Sequence, residues 1–337
     1  MTKLAVALAL LIAACGGGDS LSVEEYPQEF RDAFCKNFVK CGIAKDLDTC
    51  RKLNFGVDLH ISATAQAAFD SGKAKFNSGN AKACVDGIAD SSCDLTAESQ
   101  RFVPAACDGI ASGTLHAGEA CTIGAECISL QCNIQRCNMA CCPGTCVGDT
   151  APVTAKVGES CQTVRCVSGS YCNPVNGTCA ALKPASSTCT SQGECDYGLA
   201  CIGAGATGNC VKLPKLGEAC TDFCTDFGAT CDPTSKMCVK VVLGGDVCAG
   251  DFNASNCSAL YACDAGHCSG GVALGAPCSF DDHCADDRAF CDVASGALMG
   301  TCVLPKASGM PCDFDEDCES FDCDLATSVC VAEPVCM

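Results

Sequence analysis

From about Leu115 to Cys330 the cysteines arrive in groups of four, each led by a short Gly- or Ser-containing segment and closed by a hydrophobic tail. One copy reads Leu274-Gly-Ala-Pro-Cys278, then Cys284, Cys291 and Cys302, then Val-Leu-Pro-Lys306; another runs Lys215-Leu-Gly-Glu-Ala-Cys220, then Cys224, Cys231, Cys238 and Val-Lys-Val. First cysteines stand at 121, 161, 189, 220, 248, 278 and 312, so seven copies recur every 28 to 40 residues. A period of that size marks a repeat array. Units this short bury too little apolar surface to fold unaided and rely on staples. The predicted fold is therefore a small disulfide-rich array of short β-hairpin modules over 115–337, with little regular structure.

Composition agrees. Thirty-nine cysteines in 337 residues is a density typical of disulfide scaffolds in oxidising compartments. Structural zinc is disfavoured, because zinc ribbons show C-x2-C knuckles and spaced histidines. This chain has no C-x2-C and only His60, His116, His267 and His283. A net charge of −19, with 21 basic residues scattered singly, argues against binding nucleic acid or an anionic membrane surface.

The first fifteen residues differ in kind. Met1-Thr-Lys3 is a short positive region and Leu4 to Ile12 an unbroken apolar run, long enough for a signal peptide and too short to span a bilayer. It ends in Leu11-Ile12-Ala13-Ala14-Cys15, then Gly16-Gly17-Gly18-Asp19-Ser20. This resembles a bacterial lipobox, which implies cleavage of 1–14 and lipidation of Cys15. The competing reading is an ordinary secretory peptide with Cys15 in a disulfide. Parity weighs against it, since 38 cysteines remain once Cys15 is set aside. Several acyl chains give stable anchoring, and 15–23 then reads as a flexible tether. The expected location is the bacterial cell envelope: lipid-anchored, outer membrane, surface-exposed.

Residues 24–114 read as a small helical domain. Tyr26, Phe30, Phe34 and Phe38 recur at i, i+4, one face of an amphipathic helix; Pro27 suits its first turn and Gly42 lies just past its end. The stripe reads as core, not a ligand groove. Further helices are predicted from Asp46 to Leu53, from Ala63 to Ser71, and from an Asn80 cap through Cys84 to Ala89. Cys35, Cys41, Cys50, Cys84, Cys93 and Cys107 are even in number, and fifteen pairings fit them.

Within the repeats an aromatic precedes the third cysteine in copies two to seven: Tyr171, Tyr197, Phe227, Tyr261, Phe290 and Phe321. It is expected to be each module's miniature core. Asn176-Gly177, between Cys172 and Cys179, is a hairpin signal. The pattern Gly-x-x-Cys, five residues, Cys, an aromatic shortly before Cys-Asp, then Cys-Val resembles the Dickkopf N-terminal cysteine-rich domain, and bacterial cysteine-rich lipoproteins carry similar stretches in tandem. The likeness covers about two-thirds of the chain. It implies a module fold and no receptor, because fold does not carry function with it. Copy one departs from it through Cys141, Cys142 and Cys146, and copy five through its longer first gap, Cys248 to Cys257.

Four cysteines allow three connectivities, and loop entropy separates them by only ~0.5 kcal/mol per bridge. If the third and fourth cysteines end two strands of one hairpin, joining them re-ties strands already held. Joining first to third and second to fourth ties each strand to the preceding loop, as in epidermal-growth-factor-like modules, which these spacings resemble. This predicts Cys161–Cys172 with Cys166–Cys179, Cys189–Cys201 with Cys195–Cys210, and Cys220–Cys231 with Cys224–Cys238. It equally predicts Cys248–Cys263 with Cys257–Cys268, Cys278–Cys291 with Cys284–Cys302, and Cys312–Cys323 with Cys318–Cys330. Copy one is left open: Cys141, Cys142 and Cys146 exceed the pattern, the pairing of Cys137 is open with theirs, and Cys336 either joins one of the three extra cysteines or is free.

No catalytic motif is present: no Gly-x-Ser-x-Gly, no His-Glu-x-x-His and no phosphate loop. His267 and His283 precede cysteines already assigned to bridges. The expectation is a non-enzymatic, cofactor-free stalk that meets a surface or extracellular protein or polymer. The alternative is a protease inhibitor or a small-ligand or divalent-cation binder. From Cys278 to Met337 thirteen acids face Arg288 and Lys306. Modules ~20 Å across stacked in line would make a rod of roughly 140 Å, with this acidic end farthest from the membrane. Asp313, Asp315, Asp317 and Asp324 are spaced like a calcium loop, but Cys318 replaces its Gly and Asp its final Glu. A solvated acidic face is the preferred reading.

Overall fold

The computed structural model describes residues 20–336 except 53–60, 102–103, 135–140, 152–153, 163, 204–206, 222, 233, 249–255, 259–260, 265, 270–272, 280–283, 285–288, 294–296, 298, 313, 325 and 333–334. The leader 1–14, Cys15 and the first part of the tether lie outside the described residues.

The aromatic stripe forms α1 (Tyr26–Lys40), with Pro27 in its first turn. Tyr26, Phe30 and Phe34 pack with Ala81, Val85 and Ile88 of α4 (Ser78–Ala89), and successive stripe rings meet edge-on or tilted at 5.2 to 6.3 Å. Burial pushes the Tyr26 phenol up to about 12. Between these helices come α2 (Leu47–Arg51), capped by Asp46, and α3 (Ala63–Asp70), capped by Ser62. A bidentate pair joins Arg51 to the buried Asp32 at 2.8 and 2.6 Å. This bond holds the Asp32 carboxyl below its usual range, and Cys35–Cys50 ties the same two helices. Cys41–Cys93 and Cys84–Cys107 complete the unit. The cap of α4 is Asn77, not Asn80: the Asn77 side chain accepts from the Asn80 N–H, while the Asn80 amide reaches across to the Gly109 carbonyl. A short ladder, Ala74–Phe76 against Ala111–Gly113, leads out of the helical unit.

All seven repeats share one template. The third and fourth cysteines sit directly opposite each other on an antiparallel hairpin, from Cys132↔Cys146 to Cys323↔Cys330. The residue before each first cysteine pairs with the residue before the fourth, from Ala120↔Thr145 to Pro311↔Val329. Each module is thus three short segments, the fourth-cysteine strand in the middle. Three residues before each first cysteine the backbone turns through positive φ: Gly118, Gly158, Gly217, Gly245, Gly275 and Gly309, with Ser186 in copy three. That turn aims its own N–H at the fourth cysteine's carbonyl, as in Gly217 to Cys238 and Ser186 to Cys210, both 2.8 Å. Positive φ is the reason for glycine in the Gly-x-x-Cys lead.

The structure joins first to third and second to fourth cysteines in copies two to seven. Copy one follows the same order, Cys121–Cys132 and Cys127–Cys146, with Cys146 in the fourth place. The core of each module is the sulfur itself: the buried clusters are cysteines with at most an alanine. The aromatics are not miniature cores. They are half-buried, or exposed in the case of Phe321; Tyr261 packs against the cysteines of its own module as well as against the helical unit, and Tyr171, Phe227 and Phe290 meet groups of a neighbouring unit.

The straight rod does not form. Phe227 of copy four stacks edge-on against Phe38 at 5.7 Å, and hydrogen bonds run from Phe227 N–H to Cys93 and from Leu95 N–H to Thr225. Gly228 lies so close to the Cys41 carbonyl that an added Cβ would sit 2.0 Å from it. Copy five brings Tyr261 onto Ile43 and Ala44 and bonds Ser258 to the Ile43 carbonyl at 2.7 Å. Copies two and three touch the helical unit through Arg165–Asp108, Ser168–Glu98 and Gly198 N–H to Thr96. The tail then returns: Cys336 is bridged to Cys141, 195 residues away, and its N–H donates to Thr64 of α3 at 3.0 Å. Copies two to five thus lie against the helical unit, and copies four and five wrap over its Ile43–Ala44 face.

Candidate functional site

The polar chemistry is concentrated where units meet. In copies one, three and seven a 3-10 turn (Gly124–Glu126, Gln192–Glu194, Asp315–Asp317) delivers an acid just before the second cysteine. Glu126, Glu194 and Asp317 are buried, 1, 3 and 5 % exposed, which an ordinary surface acid never is. Each has a cation: Lys73 at 3.2 Å, Lys183 at 2.5 Å and Lys306 at 3.6 Å. Burial would push Glu194 up, but Lys183 and the Thr190 hydroxyl and amide together hold it below its ordinary value. Glu126 is lowered likewise, by Thr122 and Lys73 against its own burial.

Lys183 and Lys306 also cross the junction to the preceding repeat. Each stands six residues before a first cysteine, and the neighbouring leads Ala155 and Val242 show how: this position forms a parallel bridge with the second cysteine. Its ammonium lies over the aromatic of the previous copy, Lys183 over Tyr171 at 5.8 Å and Lys306 over Phe290 at 5.7 Å. Lys306 further contacts Asp292 at 3.4 Å. One lysine thus clamps an aromatic behind it and a buried acid ahead. The acidic signal at 126, 194 and 317 was present in the sequence and was missed.

A cleft of about 620 Å³ opens between copy two and the helical unit, floored by Gly87, Pro104 and Ala105 and rimmed by Glu98, Arg165 and Ser168. Its rim groups are engaged with one another's units: Arg165 with Asp108, Ser168 with Glu98, and Tyr197 with Ser168 and the Gly169 amide.

The candidate calcium residues are dispersed to structural tasks. Asp317 is buried against Lys306, Asp315 accepts from the Cys323 N–H at 2.9 Å, and Asp324 caps its own turn through Ala326 and Thr327. Asp317 therefore does not belong to a solvated face. Asp313 lies outside the described residues. The close cysteine triplets are the disulfides themselves, and among the described residues every cysteine is bridged. His267 is exposed with its ring at the Gly245 carbonyl, and Cys268 beside it is bridged to Cys257; His283 lies outside the described residues. Among the described residues no helix is long and apolar enough to cross a membrane.

Compared with known proteins, the chain matches no family model, no curated protein and no solved structure. What stands is a disulfide-rich repeat scaffold with a helical unit, a construction suited to an oxidising extracellular or envelope environment.

Proposed function

We propose that this protein is a bacterial envelope lipoprotein, anchored through Cys15 and carrying a non-enzymatic scaffold that presents repeat loops to a surface or extracellular partner. The observation that carries the reading is the reuse of one template seven times with different exposed tips. The cysteines, the positive-φ turn and the hairpin register repeat, while the exposed turn between the third and fourth cysteines varies: Pro174-Val175-Asn176 in copy two, Thr234-Ser235-Lys236 in copy four and Ala326-Thr327-Ser328 in copy seven. A constant frame with variable tips is the economy of a binding scaffold. The likeness to tandem Dickkopf-type cysteine-rich modules supports the frame and names no partner. The lipobox at Leu11-Ile12-Ala13-Ala14-Cys15 supports the anchor.

The test uses the full chain expressed in a bacterium with a fatty-acid label. Wild type incorporates label and fractionates with membranes, and Cys15→Ala does neither. Capture of surface extracts on the oxidised ectodomain, with the reduced protein as control, then yields a partner that depends on the bridges. Label in Cys15→Ala defeats the anchor; equal capture by both redox forms defeats the scaffold.

A further inference from the structure

We propose that the apolar groove at the junction of copies three and four is the contact surface of a homodimer, in which the Phe223 ring of each copy seats in the groove of the other. The groove encloses about 240 Å³ and is lined by Ile202 and Val211 of copy three and by Leu213, Pro214, Ala219 and Phe223 at the start of copy four. Its floor is fixed: Leu213 is buried, and the Pro214 carbonyl accepts from the Thr225 N–H at 2.8 Å. Its rim is open. Phe223 is 59 % exposed, and Val211, Leu216 and Ala219 are exposed as well.

The other copies show why the ring is uncovered. Phe223 stands immediately before the second cysteine, the position of Glu126, Glu194 and Asp317, all of which are buried. In copies three and seven the residue six places before the first cysteine supplies the lysine that meets the acid. In copy four that lead residue is Pro214, which has no arm to reach across the junction. A lone exposed phenylalanine is ordinary, whereas one beside a groove with further exposed apolar residues marks a contact surface.

Charge selects the occupant. The chain carries −19, so most ways of bringing two copies together are repulsive. Residues 211–223 are balanced, with Lys212 and Lys215 against Glu218 and Asp222. Lys212, Lys215 and Glu218 are exposed. Both signs on one patch make it complementary to itself across a two-fold axis, where the lysines of one copy meet Glu218 of the other. A partner with strong charge of either sign gains nothing from a balanced rim. The isologous contact uses the same patch on both copies and closes at two. It is small, and so belongs with the weak, exchanging interfaces rather than the obligate ones.

The test is sedimentation equilibrium of the full, oxidised chain over a concentration series in density-matched detergent, with hydrogen exchange measured at both ends of the series. The expected result is a monomer–dimer equilibrium, with the amides of 211–224 more protected at the high-concentration end. Phe223→Ser is expected to weaken the dimer at least about tenfold, while Val175→Ser, at an exposed tip of copy two, leaves it unchanged. A chain that stays monomeric throughout overturns the proposal. So does a dimer whose added protection lies outside 211–224, or one that Phe223→Ser weakens no more than Val175→Ser does. The wild-type series decides the matter even where a variant folds poorly.

Discussion

Replacing Lys183 by Met keeps the length and apolar stem of the side chain and removes only its charge. Glu194, 3 % exposed, then loses its cation and keeps its bonds to the Thr190 amide and hydroxyl. Breaking a fully buried pair from one side costs about 3–5 kcal/mol. Lys183 is 32 % exposed, so water screens part of that loss, and a net cost of about 1–2 kcal/mol is expected. Removing the ammonium from the Tyr171 face adds about 0.5 kcal/mol. The reasoning is checked by a double-mutant cycle over K183M, E194Q and the double variant, read by native-state hydrogen exchange at the junction of copies two and three. The expected coupling is about 1–2 kcal/mol, with the double variant recovering part of the loss of K183M. The sign with pH follows. Glu194 is lowered in the folded chain, so its contribution is present above the ordinary glutamate pKa of about 4.3 and is lost as pH falls through the lower native value. Coupling below about 0.3 kcal/mol at pH 7, or a junction equally protected above and below that window, refutes the clamp.

Gly217→Ala places a side chain at positive φ and is expected to cost about 1–2 kcal/mol; Gly193→Ala, with open space around it and no positive φ, is expected to be near neutral, both read from exchange protection of copies three and four. Phe227→Ala removes the ring that stacks on Phe38 and should lower the free energy holding copy four to the helical unit by about 1–3 kcal/mol, seen as faster limited proteolysis between copies three and four with all disulfides intact. Complete reduction is expected to abolish the structure of the repeats, whose cores are sulfur, while α1 and α4, which pack through Tyr26, Phe30, Val85 and Ile88, retain part of the helical far-UV signal; an unchanged spectrum in reductant counts against a sulfur-built core.

What could be read from the chain was whatever is local and repeated. First-to-third and second-to-fourth pairing followed from placing two cysteines opposite each other on a hairpin, a relation internal to some thirty residues, and α1 followed from four aromatics at helical spacing. The wrapping was hidden because its contacts join partners such as Ser258 and Ile43, or Cys141 and Cys336, that no local pattern relates. The error over the aromatics was one of volume: two disulfides already fill most of a module, so a ring next to the third cysteine stays half-buried at its edge and packs on a neighbouring unit as well, as Tyr261 does.

The clamp is the instructive middle case, because comparing the copies with one another reveals it. Lys183 and Lys306 occur six residues before the first cysteine in the copies that carry Glu194 and Asp317 before the second. Where that lead position is Ala155, Pro214 or Val242, the matching position holds Arg165, Phe223 or Asn256. A buried acid is retained only where its cation is supplied, which is the rule for burying charge. Copy one breaks the pattern in sequence, with Leu115 in the lead and Glu126 before Cys127, and keeps it in space, since Lys73 arrives from the helical unit. The orphaned acid in copy one was therefore itself a signal that another part of the chain lies against the first repeat.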